Sequence, residues 1–216
     1  MKTVAFVPIK LNSQRIKNKN ILPLLGKPLC WHIFHALLHA EGIDEVYCYC
    51  SDDNVKQYLP EGVIFLQRDP ALDGDLVKGF DIYSRFIEDV SADIYMLCHA
   101  TSPFIRPETI SQALAAVKQN GYDSAFSAQR QQTFAWYQGK PINYDPNDVP
   151  RTQDIEPVFV ETSAFFIFEK AIFTEHHRRI GFKPYICETD DVESIDIDEP
   201  EDYDFAVKIA QGVMKP

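Results

Sequence analysis

Apolar positions along the chain fall into short runs that alternate with longer amphipathic stretches. Val4–Val7 is a short apolar run ending at Pro8, the pattern of a first parallel strand buried on both faces. Pro28–Ala40 has helical length and spacing, with Gly42 as its stop. Glu45–Cys50 reads as a strand, Asp53–Leu59 as a short helix opened by Asp52 or Asp53, and Val63–Leu66 as a further strand. Leu76–Asp89 predicts a helix and Ile94–Cys98 a strand. Pro107–Asn120 predicts a helix with Pro at its start and Gly121 just beyond its end. Asp123–Ala128, Ser163–Phe168 and Pro184–Cys187 read as strands, and Lys170–His176 and Pro200–Val213 as helices. This alternation with short connections predicts an α/β fold with a doubly wound, mostly parallel sheet.

One stretch breaks the rhythm. From Gln129 to Val160 the chain is polar and rich in proline (Pro141, Pro146, Pro150, Pro157), with Phe134, Trp136, Tyr137 and Tyr144 among the prolines. It is read as an extended arm or hairpin over the sheet, or a dimer contact, and a homodimer is the expected assembly. Residues 1–216 are otherwise expected to form one domain, with 129–160 as its insertion. The opening apolar run is broken by Pro8 and Lys10, too soon for a signal peptide or a membrane span. Five cysteines (Cys30, Cys48, Cys50, Cys98, Cys187) lie scattered without a Cys-x-x-Cys pair, as expected of buried thiols in a cytoplasmic protein.

A formal net charge of −11 argues against a general binder of nucleic acid or anionic membrane. The charge is also unevenly placed. Lys2, Lys10, Arg15, Lys17, Lys19 and Lys27 precede Ala40 without one Asp or Glu, whereas Glu188–Asp204 is crowded with acids and has no Lys or Arg. A polyphosphate bound with a divalent cation needs both kinds of segment, although two solvated faces would give the same pattern.

The segment between the first strand and the first helix runs from Val7 through Lys10, Ser13, Arg15 and Lys19 to Asn20. Loops at the carboxyl ends of parallel strands are where open α/β sheets collect ligands, and this one has the cations and donors to wrap a triphosphate. It is no P-loop, since Gly-Lys-Ser/Thr is missing, and it holds no glycine before Gly26. Near the other end, Ser194-Ile195-Asp196-Ile197-Asp198 alternates in the strand sense. That places Ser194, Asp196 and Asp198 on one face, where two carboxylates can share a hard divalent cation. The same residues would equally fit a helix cap and a solvated edge.

With Leu97-Cys98-His99-Ala100-Thr101-Ser102-Pro103 between them, these segments resemble the acylneuraminate cytidylyltransferase family. Its opening is similar to Ile-Pro-Ala-Arg-Gly-Gly-Ser-Lys-x-Ile-Pro-x-Lys-Asn followed by Leu-x-Gly-Lys-Pro-Leu. Here Lys10 stands for the Arg, Ser13, Ile16, Lys19 and Asn20 match, and Leu25-Gly26-Lys27-Pro28-Leu29 follows. The family's Gln-Pro-Thr-Ser-Pro stands as His99 to Pro103, and its Ser-Ile-Asp-Ile-Asp with Pro-Glu-Asp as Ser194 to Asp202. Arg68-Asp69-Pro70-Ala71-Leu72-Asp73-Gly74-Asp75 matches its Arg-x-x-Glu-Leu-Ala-x-Asp loosely.

The resemblance implies a Rossmann-like fold and transfer of CMP from CTP to an acidic sugar or related acceptor, with release of pyrophosphate. It implies Mg²⁺ at Asp196 and Asp198, with Lys19 beside them as the third catalytic residue, and nucleotide contacts from Lys10, Ser13, Arg15, Asn20 and Arg68. The acceptor would meet His99, Thr101, Ser102, Arg151, Gln153 and Phe166. The acceptor end departs from the family pattern. Arg-Arg-Gln-Asp stands as Arg151-Thr152-Gln153-Asp154, and the Asn-Gly-Ala region as Val160-Glu161-Thr162-Ser163-Ala164. An acceptor other than an ordinary sialic acid is therefore expected. A glycosyltransferase using Asp-x-Asp and a nucleotide sugar, or a non-catalytic nucleotide-binding subunit, are the alternatives; the former would not need the basic first loop, and the latter is supported by that loop's lack of glycine but opposed by intact Lys19, Asp196 and Asp198.

Overall fold

A computed structural model describes residues 1–74 and 76–213 and is built on one seven-stranded sheet. In chain order its elements are β1 (Thr3–Ile9), α1 (Leu29–His39), β2 (Glu45–Cys50), β3 (Ile64–Gln67), α2 (Gly79–Asp89), β4 (Ile94–Cys98) and α3 (Pro107–Gln119). There follow β5 (Ser124–Gln131), β6 (Val158–Glu169), α4 (Lys170–His176), β7 (Pro184–Thr189) and α5 (Pro200–Val213). The strand order is β7-β5-β6-β4-β1-β2-β3, and every pairing is parallel except those of β6 with its two neighbours. This is the expected α/β, Rossmann-like, mostly parallel sheet.

Alternation along β1 divides the core in two. Ala5, Val7 and Ile9 face α1 and α3 with Ile33, Phe34, Ile110 and Leu114, while Val4 and Phe6 face α2 and α4 with Phe86, Phe168 and Phe173. With both faces covered, β1 and β4 are apolar without a break, which is why they are legible as runs and not as alternating strands. A third cluster joins Leu24, Leu29, Phe104 and Ile197 to Ala206 and Ala210 of α5, docking the last helix beside the first loop. All five cysteines are free and buried, and burial pushes the Cys30 and Cys187 thiols up to about 12.

Several expectations are corrected. The short helix expected after β2 is a 3₁₀ helix, Asp53–Tyr58, opened by Asp52, whose carboxylate accepts from the Asn54 amide, and it ends one residue earlier than expected. Helix α2 starts at Gly79, because Leu76 is 96% exposed and so lies outside the apolar face that would hold an earlier turn. The Asp196–Asp198 segment is an extended loop and no sheet strand; the Ile197 amide donates to the Thr101 carbonyl at 2.9 Å. Strand β6 is longer than expected and takes in the end of the arm. Its first half pairs with Ala128–Gln131 of β5, and the register shifts between Glu161 and Phe166, where Ser163 adopts φ 59°. The arm between these strands carries a tight hairpin, Trp136–Tyr137 against Lys140–Pro141. Asp75 lies outside the described residues.

The turn leading to Asp196 is held by one buried carboxylate. Glu193, 2% exposed, accepts from the Arg106 amide at 2.9 Å, the Thr109 hydroxyl at 2.6 Å and the Arg106 guanidinium at 2.6 Å. It thereby caps α3 and fixes residues 190–194 against its N-terminus. Replacing Glu193 by Ala is expected to lower stability by about 2–3 kcal/mol, since orphaned donors and a lost charged hydrogen bond both count. Urea unfolding measures this; a loss below about 0.5 kcal/mol would show that the cap is not needed.

Candidate nucleotide-transfer site

The carboxyl ends of β1 and β4 open on a cleft of about 400 Å³ lined by Pro8, Lys10, Lys19, Asn20, His99, Thr101, Ser163, Arg179, Asp196 and Asp198. The loop after β1 crosses one side. Asn18 takes a left-handed conformation (φ 57°) and starts a single 3₁₀ turn, Lys19–Ile21, that buries Lys19 and Asn20. The Asn20 amide donates to the Lys10 carbonyl at 2.9 Å, closing the loop on itself.

The acidic segment meets this loop directly. Lys19 Nζ donates to the Ile197 carbonyl at 2.7 Å and to Asp198 Oδ1 at 3.0 Å. Arg15 reaches Asp198 at 2.8 Å and Glu199 at 3.0 Å. Burial pushes the Asp198 carboxyl up, but the Lys19 and Arg15 cations outweigh it and hold its pKa below the ordinary carboxylate value. Asp196 is different: its Oδ1 is buried without any hydrogen-bond partner. A buried orphaned carboxylate oxygen is costly unless something cationic completes it. Among the described residues no cluster of three or more His, Cys, Asp or Glu is placed to hold a metal. The carboxylates fit a divalent ion only if it shares them with ligand oxygens.

Other candidate residues are placed unevenly. Ser13 and Arg15 line a smaller recess beside Lys19. Lys10 Nζ donates to the Asp73 carbonyl at 2.6 Å and borders both the main cleft and an adjoining recess floored by Arg68. Arg68 itself is buried; its guanidinium donates to the Tyr49 and Ile9 carbonyls and to Asp73. It ties together the ends of β1 and β2, so both Nη groups expected on the nucleotide already have protein partners. Ser102 is buried beneath the cleft, as is Phe166. Ser194, expected to share a face with the aspartates, turns back to Asp190 and Thr189. Arg151 and Gln153 stay exposed on the arm, where Arg151 pairs with Asp154, and do not line this chain's cleft.

His99 Nδ1 lies 2.6 Å from the Ser163 carbonyl, which can only accept, so Nδ1 carries the proton. Burial lowers its pKa against the opposing pull of that carbonyl and of Asp196, and the ring is neutral near pH 7 with Nε2 as acceptor. Arg179 is a cleft residue with no local signal along the chain. It follows α4 in a His-His-Arg-Arg run that reads as a simple helix end, and only the folded loop brings it over Phe166.

A cytidylyltransferase family model matches residues 4–214, and the chain belongs to that family. It is 28% identical over 178 residues to an N-acylneuraminate cytidylyltransferase of Oncorhynchus mykiss, covering 77% of this chain and 41% of the relative. It is 26% identical over 212 residues to N-acylneuraminate cytidylyltransferase A of Danio rerio, covering 94% and 49%. The chain thus spans about half the length of the curated relatives it matches. A solved structure of CMP:2-keto-3-deoxy-manno-octonic acid synthetase complexed with CTP shares the fold, with TM-score 0.73 at 17% identity over 99% of this chain and 100% of that one.

The two aspartates are expected to differ in what they do for stability. Asp196→Asn removes the charge from a carboxylate whose Oδ1 is buried without a hydrogen-bond partner, so the melting temperature stays level or rises. Asp198→Asn strips the partner from nearly buried Lys19 and costs about 1 kcal/mol after solvent screening on the aspartate side. Thermal melts of both variants without nucleotide check the order; a reversed order would refute it.

Proposed function

We propose that the chain transfers CMP from CTP to an acidic sugar or related acceptor and releases pyrophosphate, in a Mg²⁺-dependent reaction. The observation that carries this reading is the cleft where Lys10, Lys19 and Asn20 of the first loop face Asp196, with its orphaned oxygen, and Asp198. Cytidylyltransferase family membership supplies the reaction class.

The chemistry is an in-line displacement. An acceptor hydroxyl oxygen forms a bond to the α-phosphorus as the bond to the bridging oxygen breaks, and pyrophosphate leaves with the electron pair. Lys10, Lys19 and Arg15 bind the phosphate oxygens on which charge accumulates. Asn20 and the Lys10 backbone hold the loop in register for that contact. His99 offers Nε2 to the acceptor hydroxyl hydrogen, its other nitrogen being committed to Ser163. Asp196 and Asp198 would hold Mg²⁺ together with phosphate oxygens, and the ion, when bound, neutralises charge on the phosphates.

Residues 1–216 act as one catalytic unit in this reading, and 129–160 is the arm of a homodimer. Trp136, Tyr137, Ile142 and Val149 are exposed apolar residues on that arm, as a dimer contact requires. A second copy would then bring Arg151 and Gln153 to the acceptor side. No described helix is long and apolar enough to cross a membrane. Five buried free thiols suit a reducing compartment such as the cytoplasm.

Pyrophosphate release on mixing CTP, Mg²⁺ and acidic acceptors tests the reading. Asp196→Asn and Asp198→Asn are expected to cut turnover by about two orders of magnitude or more at limiting Mg²⁺, because a neutral amide is a poor ligand for a hard cation. Near-normal turnover in both variants would sink it.

The acceptor pocket gives a second expectation. Thr152, Val160 and Thr162-Ser163 replace family positions that offer donors to a sugar acid. Charge-assisted hydrogen bonds are worth roughly 1.5–3 kcal/mol each, so their loss weighs heavily. N-Acetylneuraminic acid is expected to be a poor acceptor. Steady-state kinetics giving it a kcat/KM on the order of 10⁵ M⁻¹s⁻¹ or more would contradict this.

A further inference from the structure

Arg179 lines the cleft with His99, Ser163 and Asp196, yet nothing in the transfer chemistry above uses it. Its guanidinium lies 3.7 Å from the centre of the Phe166 ring, and His99 meets that same ring edge-on at 6.3 Å. Stacking on a fully buried phenylalanine fixes the plane of the guanidinium, and a hydrogen bond with the Tyr83 hydroxyl holds it from one side. Glu161 takes one corner at a long 3.3 Å, and both side chains remain partly exposed (31% and 44%). Such a pair is weak and readily exchanged for a better-placed anion.

The loop that carries Arg179 is held in place. The Asp123 carboxylate accepts from the Phe182 amide at 2.6 Å and the Lys183 amide at 3.0 Å, and the Gly181 amide donates to the Ser124 hydroxyl at 2.8 Å. A Cβ at Gly181 would collide with that carboxylate, so the glycine permits the approach. The other cations near the cleft belong to the first-loop side assigned to the phosphates: Lys19 and Arg15 pair with Asp198, and Lys10 Nζ reaches the Asp73 carbonyl. Arg179 sits on the side built by His99 and Ser163, away from the first loop in sequence and in partners.

We propose that Arg179 is the anion-binding residue of the acceptor subsite, pairing with the carboxylate or phosphate of the molecule that receives the nucleotide. The inference rests on the cytidylyl-transfer reading and deepens it. It also gives the loss of an arginine at Thr152 a physical counterpart: the acceptor's acid group is held from the β6–α4 side of the cleft, so a differently shaped acid fits. A guanidinium fixed in plane favours a bidentate anion and gives a neutral sugar nothing to match.

Initial-rate measurements of pyrophosphate release with CTP and Mg²⁺ test this on 2-keto-3-deoxy-manno-octonic acid, N-acetylneuraminic acid, their methyl esters, erythritol 4-phosphate and erythritol. For the best acidic acceptor, Arg179→Gln is expected to raise KM roughly 10- to 150-fold, the span of one lost charge-assisted hydrogen bond. The KM for CTP should stay within about two-fold, as should the rate with the matching neutral compound. Arg179→Lys, which keeps the charge and loses the fork, should fall between, and it carries the test if the Gln variant does not fold. Whether a sugar acid or erythritol 4-phosphate responds tells carboxylate from phosphate. An unchanged KM for the acid, an equal loss on the neutral counterpart, or wild-type use of neutral compounds as good as that of acids would each overturn the assignment. If calorimetry shows CTP binding but no acid in the panel releases pyrophosphate, the acidic-acceptor reading fails and takes Arg179's role with it. An unchanged KM with active wild-type protein refutes Arg179 alone.

Discussion

The site depends on one contact between segments far apart in the chain: the ammonium of Lys19 held by the Ile197 carbonyl and by Asp198. An ammonium this buried is tolerated only when paired and hydrogen-bonded, so the contact fixes both partners wherever it forms. Through Lys19 it sets the loop after β1, and through Ile197 the extended segment before α5. Ile197 is packed with Leu24, Leu29 and Ala206, which makes the polar contact and the apolar cluster beside it mutually supporting. The hydrogen bond from the Ile197 amide to the Thr101 carbonyl then ties both to the chain just beyond β4. Three segments of the chain thereby converge on the carboxyl edge of the sheet, where a ligand would lie.

Strand β6 supplies the remaining constraint. Because it runs antiparallel between two parallel neighbours, its first half reaches that same edge before the chain enters the sheet core. The register shift after Glu161 and the left-handed Ser163 turn a carbonyl to His99, and Phe166 follows as the platform beneath Arg179. The irregularity in β6 therefore shapes one wall of the cleft, and the arm leaves from the same place.

What was legible in the sequence follows from this division. Buried parallel strands and Pro- and Gly-bounded helices are local patterns that placed the sheet in advance, and the charge asymmetry between the two ends marked the first loop and the Asp196–Asp198 segment as candidates. Arg68 was legible as a residue but not as a buried one, because the carbonyls it satisfies come from β1 and β2 and are not in its own neighbourhood. Arg179 was invisible for the same reason: its meaning comes from Phe166, reached through a loop whose anchor is Asp123. The extension of β6 into the arm was hidden by prolines that usually end strands, here Pro157 just ahead of the first paired residue.

The two ends of the cleft also differ in how their charges are stored. On the first loop, Arg15 is an exposed arginine paired with half-buried Asp198 and exposed Glu199, an arrangement that would give up little if a polyphosphate replaced the carboxylates. Lys19 is buried deeply enough that the Asp198 pair persists as a fixed part of the wall. In the proposed reading, ligand binding on this side would be an exchange of ion-pair partners at Arg15 around a constant Lys19. Asp196 is the converse case, a carboxylate oxygen buried with no partner and so a local cost carried by the free protein. Fixed cation and unsatisfied acid share the cleft, with the exchangeable cation in the recess beside it, and in the proposed reading a cation and a polyphosphate together would satisfy all three.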